Sequence, residues 1–285
     1  MRIAALPASD DALIALARID PLPPAEVGLF APQGWLRRIH SEPSLLFGGG
    51  RALLLEVAHP LVAAGVAEHS NFRGDPFGRL QRTLDAMRAI EFGDRASALS
   101  AARSVERAHA RVSGRLEQDA GRYRAGTPYH GRDAALVLWV WATLVDSAIA
   151  VYECFVETLG GKAREAYYTE QCVVARLLGV PQDLLPPSYA AFRSWFDGCI
   201  EGDTLCVTPV GREIARAVLA PPGGLADGGR VASITAALLP ARLRDAFELR
   251  FDAAARARFE ALRQTVRSLR AEGSAASRRR EADLR

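Results

Sequence analysis

Apolar residues recur at helical spacing almost from end to end of the chain, and no stretch alternates apolar with polar for six residues between turn signals. The pattern therefore predicts helices and very little sheet. Segments 9–19, with Ser9 and Asp10 as capping candidates, 32–40, 78–91, 94–118, 132–158, 163–177, 187–199, 209–219, 228–238 and 240–271 all read as helices. The run 51–67 is apolar on nearly every face, which predicts burial all round, and Pro60 must bend or break it. The most apolar segment, 134–145 (AALVLWVWATLV), is 12 residues long before Asp146 interrupts it. A membrane span needs ~20 such residues, so a buried core helix is expected here, without integral membrane association. The stretch 272–285 (EGSAASRRREADLR) has almost no apolar content and is expected to be disordered. With no internal repeat, one all-α domain over residues 1–271 is the simplest organisation.

Composition narrows the class further. The 285 residues are 49% hydrophobic and 24% charged, ample for a core. Lys and Arg total 36 against 33 Asp and Glu, a net charge of +3, and the two signs are interleaved along the chain. That is a solvated surface, which speaks against a nucleic-acid partner. The four cysteines (Cys154, Cys172, Cys199, Cys206) form no CxxC pair, and Cys199 with Cys206 is spaced wrongly for a zinc knuckle. The N-terminal MRIAALPASDDALIAL lacks a cationic flank followed by a clean apolar run, so the expectation is a cytoplasmic protein with reduced thiols.

Candidate chemistry reduces to a few polar groups set among apolar residues. No GxGxxG, GxxxxGK[ST], GxSxG or HExxH pattern occurs, which removes the readable nucleotide folds, α/β-hydrolases and zincins. Glu106 and His109 have the ExxH spacing of di-iron bundles, but those sites need a second such pair and further glutamates. His109 follows Val105 by four and precedes Val112 by three, so it should point inward. A buried imidazole needs a hydrogen-bond partner or a metal. Spacing permits either a core histidine bonded to a carbonyl or the single axial ligand of a haem, whose macrocycle supplies the other four donors. Arg79, Arg82 and Thr83 share one helix face, as solvated arginines also would. His59 and His69 flank the bent apolar run and, even on an unbroken helix, would stand ~15 Å apart. They are too far apart to bind one iron together; each could touch a cofactor edge or satisfy backbone carbonyls.

The runs GGGRALLLEVAHPLVAAGVAEHSNF (48–72), DPFGRLQRT (75–83), HARVSG (109–114) and LWVWATLVDS (138–147), in that order, resemble the family of the latex clearing proteins, or rubber oxygenases, and of the fungal MpaB oxygenase. The resemblance covers roughly residues 30–250. It implies an enlarged globin-like helical domain and haem b, its iron on a histidine, acting with O2 or peroxide on an alkene or isoprenoid. By motif, His109 matches the proximal ligand, and Arg79 and Thr83 match the distal arginine and threonine. Arg82 falls where rubber oxygenases place a lysine that can cap the iron. A guanidinium stays protonated, so the distal position is expected to be open or water-bound. Trp141 replaces a histidine that many relatives carry (WVWAT here), implying a more apolar pocket wall with His59 and His69. The expected substrate is a medium-sized apolar or amphipathic small molecule. A helical haem or apolar-ligand binding protein without turnover is the alternative.

Overall fold

The computed structural model describes residues 5–72, 74–219 and 229–283, and the side chains of all of these except 76, 77, 79, 80 and 273–283. Chain order gives α1 (Asp10–Ala17), α2 (Trp35–His40), α3 (Gly49–Val57), α4 (Pro60–His69), α5 (Pro76–Phe92) and α6 (Arg95–Ala110). A short antiparallel hairpin of β1 (Ser113–Arg115) and β2 (Pro128–His130) follows, pairing Ser113 with His130. Then come α7 (Ala134–Phe155), α8 (Gly161–Leu177), α9 (Tyr189–Glu201), α10 (Pro209–Leu219), α11 (Arg230–Leu238), α12 (Ala241–Ala246) and α13 (Ala253–Asp283). The fold is all-α, as the periodicity predicts.

Helix α7 is the axis of the core. The Asp133 carboxylate caps its start, accepting from the Ala135 amide at 2.9 Å, and α3, α8, α2 and α13 pack around it. Trp141, Tyr152 and Phe155 on α7 are fully buried, as are Tyr167 and Tyr168 on α8 and Phe192 and Phe196 on α9. A helix apolar on every side has to be enclosed. By length and composition α7 could cross a membrane, yet 78% of its most apolar stretch is buried inside the fold.

Asp146, which interrupts the apolar run, does not end the helix. Buried Arg51 on α3 reaches it at 2.5 Å, bonds Ser147 Oγ at 2.8 Å and the Leu238 carbonyl at 2.8 Å, and Arg193 on α9 meets its other oxygen. The same three-way grip ties α3, α7, α9 and α11 together.

One boundary falls where the sequence pattern puts it and two depart from it, each for a local reason. The 51–67 run breaks where Pro60 removes a backbone donor, and the chain bends by 107° between the helical arms. The 94–118 segment stops being helical at Ala110, because the Val112 amide turns back to the His109 carbonyl at 3.1 Å and the chain enters β1. Leu116 keeps its apolar character but packs with Leu61, Ala120 and Tyr129 in a separate small cluster. The 240–271 segment divides at Glu248, whose φ of 59° is left-handed, and restarts where Asp252 accepts from the Ala255 amide at 2.8 Å. From there the α13 backbone stays helical to Asp283, across most of the stretch expected to be disordered. Its Ala, Arg and Glu residues favour helix, and extending a nucleated helix is cheap.

Candidate functional site

Helices α5 and α6 form a hairpin around Gly93, and the candidate site lies along it. Asp75 caps α5, accepting from the Gly78 amide at 2.8 Å, and Asp94 caps α6, accepting from the Ser97 amide at 2.7 Å. The turn is fixed from outside by Gly28, whose positive φ of 82° and close approach leave no room for a side chain: a Cβ there would stand 2.1 Å from the Gly93 carbonyl oxygen.

His109 occupies the last turn of α6 and is half-buried. Gly131, just past β2, crosses directly over its backbone, since a Cβ at Gly131 would stand 2.4 Å from the His109 carbonyl oxygen. Burial lowers the imidazole pKa, with the charge of Glu106 opposing, so the ring is neutral at pH 7. Glu106, one turn earlier, is engaged by Arg132 at the end of the hairpin. Among the described residues nothing hydrogen-bonds the His109 ring. A neutral, sheltered imidazole with a free lone pair is what a haem iron requires of a protein.

The other two histidines of the bent segment have backbone duties. His59 is the N-cap of α4: Nδ1 accepts from the Leu61 amide at 3.3 Å, which fixes the proton on Nε2, and Nε2 then donates to Tyr123 Oη at 2.9 Å. His69 Nε2 lies 3.0 Å from the Ser113 carbonyl oxygen and fastens the end of α4 to β1. Both therefore hold the hairpin that follows His109.

Burial, with a smaller contribution from Arg122, lowers the His59 pKa to about 4. An unfolded chain binds that proton near pH 6.5, so stability from neutral His59 is whole above pH 6.5 and is lost as pH falls towards 4. The loss amounts to about 1.4 kcal/mol per pH unit across that window. His59→Asn keeps a capping oxygen without the titration and is expected to flatten the fall in melting temperature between pH 7 and 5. His109, shifted in the same direction, is present in both proteins, so an unchanged pH dependence would refute the assignment.

The residues on α5 are placed unevenly. Arg79 lies in α5, but its side chain is outside the described ones. Arg82 is 67% exposed and pairs with Asp75 at 3.1 Å, and Thr83 is exposed. Trp141 packs against α8 and α9, with Nε1 donating to the Gln171 carbonyl at 3.1 Å and its ring against Tyr168 and Phe192. Arg82 and Trp141 thus spend their polar atoms on partners other than His109. A cavity of about 420 Å³ opens elsewhere, between α2, the end of α7 and α13. Its arginines are committed: Arg38 to Glu157, Arg270 to Glu42, and Arg267 to the Cys154 and Glu153 carbonyls.

Sequence reasoning passed over a buried polar cluster between α2, α5 and α8. His40 Nδ1 meets Glu91 Oε2 at 2.7 Å, and Nε2 meets Tyr167 Oη at 2.8 Å. Each of these residues sits alone in an amphipathic helix, so spacing gave no signal of their meeting.

Comparison with known proteins finds one match. The family model described as "ER-bound oxygenase mpaB/B'/Rubber oxygenase, catalytic domain" matches residues 36–268. No curated protein and no solved structure matches.

Proposed function

The chain belongs to the family of the mpaB and rubber oxygenase catalytic domains, and from that premise we propose that it is a haem b-dependent oxygenase of small apolar molecules. The observation that carries the haem assignment is the His109 imidazole, sheltered, neutral and without a hydrogen-bond partner among the described residues. A haem needs only one or two protein donors, so a single histidine suffices where no cluster of ligating side chains exists among the described residues. When bound, the haem supplies the electrons and the coordination site for O2 chemistry.

The remaining roles fall to this chain. His109, at the end of α6, would hold the iron through a ring nitrogen, and Gly131 leaves room for the close backbone crossing beside it. Arg79 and Thr83 on α5 would be the hydrogen-bond donors to bound oxygen, and Arg82, always protonated and paired with Asp75, would not serve as an iron ligand. Trp141, fully buried with its only polar atom occupied, would support the core behind the site, while His59 and His69 keep the α4–hairpin framework in place. The substrate is a medium-sized apolar or amphipathic molecule with an alkene or electron-rich ring, bound mainly through buried area.

The absorption spectrum of protein purified with ample haem, followed by O2 uptake with isoprenoid, fatty and aromatic compounds, tests this reading. A Soret band with O2 uptake on apolar substrates is expected. A colourless protein would overturn the haem assignment, and a haem protein inert to both O2 and peroxide would make it a binding protein. Arg79→Ala and Thr83→Ala are expected to retain haem while turnover falls about 100-fold each, the usual cost of a lost donor at developing charge. Haem loss in both, at native helicity, would assign them to holding the cofactor instead.

A further inference from the structure

The Glu91–His40–Tyr167 cluster is too completely assembled to be a lone core histidine. Glu91 is 3% exposed and Tyr167 wholly buried. Nδ1 of His40 faces a carboxylate, an acceptor, so it carries the ring proton, and Nε2 is left to accept. Tyr167 Oη donates to it at 2.8 Å, and the Gln171 side-chain amide approaches the same nitrogen at 3.4 Å. The second oxygen of Glu91 is buried and has no hydrogen-bond partner, so among the described residues the carboxylate's hydrogen bonding is directed to His40. A carboxylate, an imidazole and a hydroxyl in this order form a proton-accepting chain.

That chain cannot serve through a phenolate. Burial pushes the Tyr167 pKa well above its ordinary value, with the charge of Glu91 adding to it. A neutral phenoxyl radical carries no charge and pays no such penalty, whereas the imidazolium formed beside it is paired with Glu91. Oxidisable rings lead outward from the cluster. Gln171 accepts from Trp141 Nε1, Trp141 lies 6.0 Å from Tyr168, and Tyr168 lies 6.3 Å from half-buried Tyr189.

We propose that Tyr167 is a redox-active tyrosine whose proton is taken by His40. A one-electron oxidant removes an electron from the phenol and is itself reduced by one electron. The O–H bond breaks, its proton moves to Nε2 of His40, and a neutral tyrosyl radical is left beside an imidazolium held by Glu91. Return of one electron brings the proton back to Oη. The oxygenase reading enters only as the source of oxidant, namely oxidising equivalents that no substrate has consumed.

The test supplies its own oxidant, so its outcome is independent of whether haem binds. Photogenerated tris(bipyridine)ruthenium(III) is mixed with the full-length protein, and the freeze-quenched sample is examined by electron paramagnetic resonance. The wild type is expected to give a tyrosyl signal with a hydrogen-bonding proton that exchanges in D2O. Tyr167→Phe is expected to abolish that component, and His40→Gln to abolish it while leaving the phenol in place. Survival of the exchangeable component in either variant overturns the proposal. So does a wild-type signal carried only by tryptophan or by tyrosines without that proton. Should Tyr167→Phe fail to fold, His40→Gln decides alone.

Discussion

Replacing Asp146 with alanine is expected to cost about 3–5 kcal/mol of folding stability. The loss would come less from the attraction it removes than from what it leaves behind. Arg51 is 5% exposed and its guanidinium is held by Asp146, Ser147 and the Leu238 carbonyl. Burial lowers its pKa to about 10, so at pH 7 it remains charged and would be stranded without its counter-ion. Domains are stable by only about 5–15 kcal/mol, which makes this a large fraction of the total. Adding Arg51→Met to Asp146→Leu is expected to recover most of the loss, since an apolar replacement of a buried pair is often neutral. Urea unfolding of the two proteins checks both points. A cost below about 1 kcal/mol for Asp146→Ala, the size of an exposed pair, would show that the network is solvated.

On the haem reading proposed above, His109→Ala is expected to show the opposite profile: loss of haem and of turnover with little loss of fold. The ring makes no hydrogen bond among the described residues, so truncation orphans no partner. The folding cost should stay near the ~1 kcal/mol typical of a point substitution. The Soret band, by contrast, should vanish or shift as the iron loses its protein donor, and added imidazole should restore it in part by refilling the position. A variant with unaltered haem content and spectrum would remove His109 as the ligand. Loss of helicity together with haem would show a structural histidine instead.

Much of the fold was legible in sequence because helix formation is governed by residues three and four apart. The apolar period located the helices, Ser9 announced the first start, and the Pro60 break followed from a missing amide. Motif order along the chain pointed to the family that the match over residues 36–268 establishes. The ends of α6 and α12 were not legible, because an apolar residue at the right spacing reads alike whether it lies within a helix, as Ala102 does, or packs beyond one, as Leu116 does.

The candidate site divided along the same line. The sequence by itself determined that His109 lies at helical spacing among apolar residues and that Pro60 must bend or break the apolar run that His59 and His69 flank. Only the tertiary structure decided that His59, His69 and Trp141 spend their polar atoms on Tyr123, Ser113 and Gln171. It likewise decided that His40 meets Glu91 and Tyr167, 51 and 127 residues away, and that Arg51 meets Asp146 across 95 residues. The reason is that periodicity fixes which face of a helix turns inward, a local property, whereas a buried polar group's partner depends on which helices pack together. That choice is set by the summed burial of the whole core, and no window of neighbouring residues contains it.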